Sequence, residues 1–173
     1  MRQSLSLGEK IMNKFILVSC FLILFFICLL SNLAANDDMK YGLSKGQTIY
    51  VPAYSHIYYG NRERAIFLTI TLSIRNIDSD KEIKITLADY YETQGKLLKQ
   101  FIKTPVVLKP LESLYYVIPE SDKAGGSGAN FIVKWQSDKL ANPPLIESVM
   151  ISTQSAQGIS FTSRGREIIP SKQ

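Results

Sequence analysis

Beyond residue 28 this chain has no cysteine. Its two cysteines, Cys20 and Cys28, both fall in the apolar run Phe15–Leu30, which removes disulfides, thiolate nucleophiles and cysteine-ligated metals from everything that follows. Histidine is almost as scarce. His56 stands alone, whereas a zinc site needs several His or Cys donors and a general base is most often a histidine. No stretch of useful length repeats its apolar residues at 3.6, so helical bundles and alternating α/β folds lose their main support. No Gly-x-Ser-x-Gly elbow is present. The glycines of Gly125-Gly126-Ser127-Gly128 follow Lys123 instead of leading into Gly-Lys-Ser/Thr, which excludes the phosphate-loop pattern. Basic residues form no stripe, and part of the net charge of +5 sits in Arg2, Lys10 and Lys14 near the start. Nucleic acid is therefore not an expected partner. No catalytic residue, cofactor site or metal site is expected.

What the chain does have begins with an address. Lys10 and Lys14 precede the apolar run and Asp37 and Asp38 follow it. That asymmetry keeps the N-terminus in the cytoplasm and sends the rest across the membrane, to the periplasm or the cell surface. Residues 1–35 read either as a signal peptide or as an uncleaved N-terminal membrane anchor. Phe15–Leu30 spans about 24 Å as a helix, which suits a signal peptide, and 15–35 spans about 31 Å, enough for a bilayer core. Neither cut near Ala34 or Ala35 places small residues at both required positions, because Asn32 or Leu33 intervenes. Met12-Asn13-Lys14 is itself a compact signal opening. Gly8-Glu9, encoded GGN-GAR, doubles as a purine-rich ribosome-binding sequence, so translation is expected to start at Met12.

Residues 36–46 read as a polar spacer, 47–168 as one domain and 169–173 as a tail that frays. Inside the domain, Leu68–Arg75 alternates without a fault, aliphatic at even positions and polar at odd ones. One face is thus buried and the other wet. Ile83, Ile85 and Leu87 resume the phase after a polar turn at 76–82. Further strands are expected at 48–54, 96–101, 106–108, 114–118, 131–136, 146–153 and 159–162. Gly60-Asn61, Gln94-Gly95, Pro110, Gly125–Gly128, Asn142-Pro143-Pro144 and Gln157-Gly158 mark turns between them. The fold class expected is all-β: an antiparallel two-sheet β-sandwich, immunoglobulin-like, of about seven to nine strands, preceded by an N-terminal hydrophobic helix.

Several residues invite chemistry. His56 lies among Tyr54, Tyr58 and Tyr59, which could line a recess; the plainer reading is a strand-end histidine held by local hydrogen bonds. Asp89 continues the buried phase of Ile83, Ile85 and Leu87. Either a bulge near Ala88 turns it outward, or it is buried in a polar pair with Arg75, or it is a functional carboxylate. Three glycines at 125, 126 and 128 supply positive φ or allow close approach. Trp135, in phase with Phe131 and Val133, belongs to the core. Arg164 and Arg166 flank Gly165 and could fork an anion or acidic partner against the backbone; alternatively they form structural ion bridges. The candidate binding surface is thus Tyr54, His56, Tyr58, Tyr59, Arg164 and Arg166.

Five strings occur together: Tyr50–Tyr58, Ser73-Ile74-Arg75-Asn76, Asp89-Tyr90-Tyr91, Gly125–Phe131, and Gln157–Phe161 with Ser163–Arg166. With them the chain resembles the bacterial family catalogued as Domain of Unknown Function 3124, over residues 46–168. The resemblance implies an exported domain standing alone behind its leader and brings no activity, ligand or catalytic residue. The function expected is an exported, non-enzymatic binding module with a protein or envelope component as partner. A small-ligand or glycan-binding module using the Tyr/His recess is the alternative, and a hydrolase with a scattered site the third reading.

Overall fold

The structure is a computed structural model that describes residues 42–61, 64–153 and 158–169. Residues 41–173 form one compact unit. The expected leader helix, the Met12 start and most of the tail lie outside the described residues.

Every described element is a strand, and twelve occur where seven to nine were expected: β1 Ser44–Pro52, β2 His56–Tyr59, β3 Arg64–Phe67, β4 Thr69–Arg75, β5 Ile83–Tyr91, β6 Leu97–Gln100, β7 Val106–Leu108, β8 Ser113–Ile118, β9 Asn130–Ala141, β10 Leu145–Ser152, β11 Ile159–Arg164 and β12 Arg166–Glu167. All pairings are antiparallel. A six-stranded sheet runs β12-β1-β9-β5-β6, with β7 also on β5; a four-stranded sheet runs β11-β10-β4-β8; β2 and β3 form a separate hairpin. The expected strands are present, with shifted ends. The additions are the hairpin β2–β3 and the two-residue β12, and β1 starts at Ser44 inside the expected spacer.

Period-two patterning builds one core from both sheets. Ile70, Leu72 and Ile74 of β4 and Met150 of β10 meet Val51 of β1, Ile83, Ile85 and Tyr90 of β5, and Phe131, Val133 and Trp135 of β9 in a single cluster. Tyr90 and Phe131 stack at 4.9 Å. A fully buried hydroxyl, Ser148 on β10, donates to the carbonyl of Pro52 on β1, satisfying a polar group that would otherwise be costly to bury. Trp135 takes its expected core position, and its ring N–H donates to Gln47 at 3.2 Å.

Asp89 follows the bulge reading with two corrections. The register of β5 on β9 slips between Ile85 and Leu87, so the bulge is at Thr86 and not near Ala88. One extra residue flips every later side chain to the other face. Ala88 and Tyr90 take the core positions and Asp89 turns to the outer face. It is still only 4% exposed, because it sits in register between Ile132 and Gln100. It makes no pair with Arg75, which lies on β4 and reaches Glu147 instead, at 3.9 Å.

The two ends of the domain are fastened differently. At one, the buried Asn76 donates its amide to the carbonyls of Lys81, Leu108 and Lys109 and accepts from the N–H of Asp78. Asp78 accepts from the N–H groups of Asp80 and Lys81 and from both the backbone and the side chain of Asn142. Three loops are thereby clasped together. At the other end, the glycine loop folds over Tyr90, whose hydroxyl shares a 2.9 Å hydrogen bond with Ser55. Gly126 has φ +78° and Gly125 presses so closely that a Cβ there would lie 1.9 Å from the Tyr90 oxygen. Both uses expected for these glycines occur, side by side.

Candidate functional site

The six expected site residues do not come together. His56, Tyr58 and Tyr59 lie on β2, paired only with β3, and both tyrosines are exposed. His56 Nε2 meets the Tyr58 hydroxyl at 3.0 Å, and its ring stands edge-on to Tyr58 and Phe67. Lys123 covers Phe67 at 4.1 Å from the ring centre. Tyr54 leaves this group and packs on Phe161 at 5.9 Å. Ser55, the serine next to the histidine, is bonded to Tyr90 and not to His56. His56 Nδ1 is buried and has no hydrogen-bond partner among the described residues.

The arginine pair is split more completely. Arg164 ends β11 in the four-stranded sheet, opposite Glu147. Arg166 begins β12 in the six-stranded sheet, opposite Tyr50. The chain changes sheets at Gly165, so the two guanidiniums stand on the outer faces of different sheets. Gly165 offers an anion no approach either. A Cβ there would lie 2.5 Å from Ile49 and 3.2 Å from Val51, and its N–H is already given to the carbonyl of Ile146 at 2.9 Å. The glycine is small because the crossing is crowded. Neither arginine forms an ion pair among the described residues.

The surface most suited to recognition is one that sequence reasoning did not single out, the outer face of the four-stranded sheet. Register sets Tyr115, Ser73, Glu147 and Arg164 in one row across β8, β4, β10 and β11, and Val117, Thr71, Val149 and Thr162 in the next. Thr69, Ile151 and Ser160 follow. Tyr115 is 69% exposed, Ile151 45% and Val117 41%. No described residue covers them. The Nε of Arg75 donates to the Ser73 hydroxyl at 3.1 Å and its guanidinium approaches Glu147, leaving a charged rim beside Tyr115. Thr71, Ser73, Arg75, Ser113, Tyr115 and Val149 line a shallow depression of about 380 Å³. The alternating polar positions of Leu68–Arg75 announced a wet face; only the pairing of β4 between β8 and β10 reveals that aliphatic and aromatic side chains join it there.

Titration is perturbed away from this face. Hydrogen bonds from Asn142 and Asp80 lead those that lower Asp78 from 3.8 to about 2, since donors to a carboxylate favour its charged form. Asp78 lies in a surface loop, yet the clasp shields it from contact with solvent. Burial raises the Tyr90 phenol, partly offset by Ser55, and burial likewise raises Tyr116. No group of three or more His, Cys, Asp or Glu able to hold a metal occurs among the described residues.

With this geometry in place, a family model described as Protein of unknown function (DUF3124) matches residues 46–168. The chain belongs to the DUF3124 family. The match opens inside β1 and closes just after β12, so it takes in both sheets and the hairpin. The crystal structure of Thermotoga maritima 1070 is similar over 69% of this chain and 92% of its own, at 12% identity and a TM-score of 0.41. No curated protein matches the chain.

Proposed function

We propose that this DUF3124 chain is an exported, non-enzymatic binding module of the bacterial cell envelope: a two-sheet, immunoglobulin-like sandwich behind an N-terminal hydrophobic segment. It holds a protein partner against the outer face of its four-stranded sheet. The observation that carries this reading is the grouping of exposed Tyr115, Val117 and Ile151 with Val149, rimmed by Arg75, Glu147 and Arg164. An apolar, aromatic centre with a charged rim is the anatomy of a recognition surface. The lysine-then-aspartate flanks of the apolar run support export. The test is capture from envelope extract by the immobilised chain, followed by mass spectrometry. A Tyr115→Ala, Ile151→Ser variant should lose a partner that His56→Ala retains. Capture that survives the first variant and fails with the second would overturn the choice of face.

A second reading, small-ligand binding at the hairpin, is favoured by the buried, unpartnered Nδ1 of His56. A buried polar atom without a partner is costly, and a ligand donor or acceptor would relieve that cost.

A further inference from the structure

One edge of the four-stranded sheet is β8, Ser113–Ile118. The N–H of Asn76 donates to the carbonyl of Glu112 in the same register as the β4–β8 ladder. Even-numbered residues of β8 therefore turn their backbone groups toward β4. The N–H and C=O groups of Ser113, Tyr115 and Val117 point the other way, where no described strand pairs with them. The free edge has definite ends. Below it Pro110 and Leu111 turn the chain, Leu111 at φ +63°; above it Pro119 has no N–H, and its carbonyl is taken by Asp122 at 2.9 Å.

Exposed edges normally carry a device against pairing: a charge, a proline, a bulge or short length. The other edges of the two sheets have one. β6 is four residues with Lys99, β7 is three residues, β12 is two with Arg166 and Glu167, and β11 ends in Arg164. β8 reads Ser-Leu-Tyr-Tyr-Val-Ile, without charge, proline or register shift.

We infer that β8 pairs antiparallel with β8 of a second copy of this chain, on a two-fold axis through Tyr115. In that register Ser113 of each copy faces Val117 of the other and Tyr115 faces Tyr115, so all three free residues are satisfied at once. Shifting the centre by one residue leaves one of them unpaired. The edge is as long as what it offers itself, and a longer foreign strand gains no further hydrogen bond between the two turns. Its neutrality brings no like charges together, as self-pairing of a charged edge would. Half-buried Leu114 and Tyr116 of the two copies meet on the inner side, beside the stack of Tyr116 on Phe101 at 4.5 Å. A six-residue strand pair buries well under the roughly 1,200 Å² of a standard interface, so the dimer exchanges with monomer. Pairing joins two four-stranded sheets into one of eight strands and doubles the outer face. The inference rests on backbone groups and stands whether or not that face binds a protein.

A cysteine crosslink tests it, because only Cys20 and Cys28 need replacing. In the full chain with both changed to serine, Tyr115→Cys should give a disulfide-linked dimer on oxidation, since residues opposed in a hydrogen-bonded pair have Cα atoms about 5.5 Å apart, within disulfide reach. Val107→Cys, 44% exposed on the β7 edge, should not. Adding Val117→Lys to the Tyr115→Cys chain, which places a charge on the edge, should slow the crosslink. Equal crosslinking by the two cysteine variants, or none by Tyr115→Cys, would each overturn the inference. In sedimentation velocity, residues 41–173, which contain the whole core cluster, should shift from one chain to two as concentration rises. A Tyr115→Lys, Val117→Lys variant should associate roughly tenfold more weakly or not at all. A wild-type domain that stays monomeric at every concentration refutes the pairing.

Discussion

Replacing Gly125 by alanine adds one methyl at the most crowded point of the glycine loop. Gly125 is not among the glycines with positive φ, so alanine meets no backbone penalty and the cost is steric. The new Cβ would lie 1.9 Å from the Tyr90 oxygen, 2.7 Å from its Cζ and 2.6 Å from the Ser55 oxygen. Tyr90 cannot move aside easily, being fully buried and stacked on Phe131. The loop must lift instead. Lifting it gives up the hydrogen bonds from the N–H and hydroxyl of Thr93 to the Gly125 carbonyl, each 3.0 Å, and from the N–H of Ser55 to the Gly126 carbonyl, 2.9 Å. At about 1 kcal/mol for each bond, with residual overpacking of about 1 kcal/mol, the loss is about 4 kcal/mol. For a domain of this size that lowers the unfolding midpoint by roughly 10–15 °C. Urea unfolding followed by circular dichroism and by Trp135 fluorescence measures it. Tyr90→Phe removes the closest atom, so the double variant should lose less than the sum of the singles by at least about 1 kcal/mol. Strict additivity, or a loss below about 1 kcal/mol for Gly125→Ala alone, would refute this account of the loop.

Asp78 makes stability depend on acid. Its folded pKa of about 2 lies below the ordinary 3.8, so its contribution is complete above that ordinary value and is lost as pH falls through about 2. Asp78→Asn should unfold more readily at pH 7 and lose less between pH 5 and 2 than the parent; parallel pH profiles in thermal melts would contradict the clasp. Arg164→Ala and Arg166→Ala, exposed and on different faces, should each change stability by less than about 0.5 kcal/mol and combine additively. Sulfate should protect the double variant as well as the parent, and selective loss of that protection would restore a joint anion site.

Where one face of a strand is buried, the pattern can be read directly, and Leu68–Arg75 predicted β4 almost to the residue. Ser44–Gly46 and the hairpin β2–β3 carry no such alternation. Exposure of Tyr58, Tyr59 and Arg64 leaves β2 and β3 without a clean buried face, so hydrogen bonding alone marks them as strands. The bulge was expected two residues late because any slip between Ile85 and Asp89 restores the phase, and the register with β9 decides which. The arginines misled for a related reason. Spacing of two within one strand puts residues on one face, but the strand changes sheets between them at Gly165. The membership of Tyr115 in a recognition face depends on which strands lie beside β8. Asn76 and Asp78 stood in a turn recognised as polar, and nothing local tells a loop of solvated side chains from one whose side chains clasp three loops.

The placement of β1 also sets a timetable. Its neighbours are β9, which begins at Asn130, and β12, which begins at Arg166, so the first of the described strands to emerge during synthesis waits for nearly the whole domain before it meets them. Local hairpins close early; the six-stranded sheet cannot. Contacts between such distant residues fold slowly, since the intervening chain must be ordered before they form. Until Asn130 arrives, Ile49 and Val51 remain uncovered on an unpaired strand that a chaperone or protease can grip. A chain cut short before β9 would therefore retain four-stranded-sheet segments while its own beginning hangs loose, marked for degradation by the strand that the missing part was to cover.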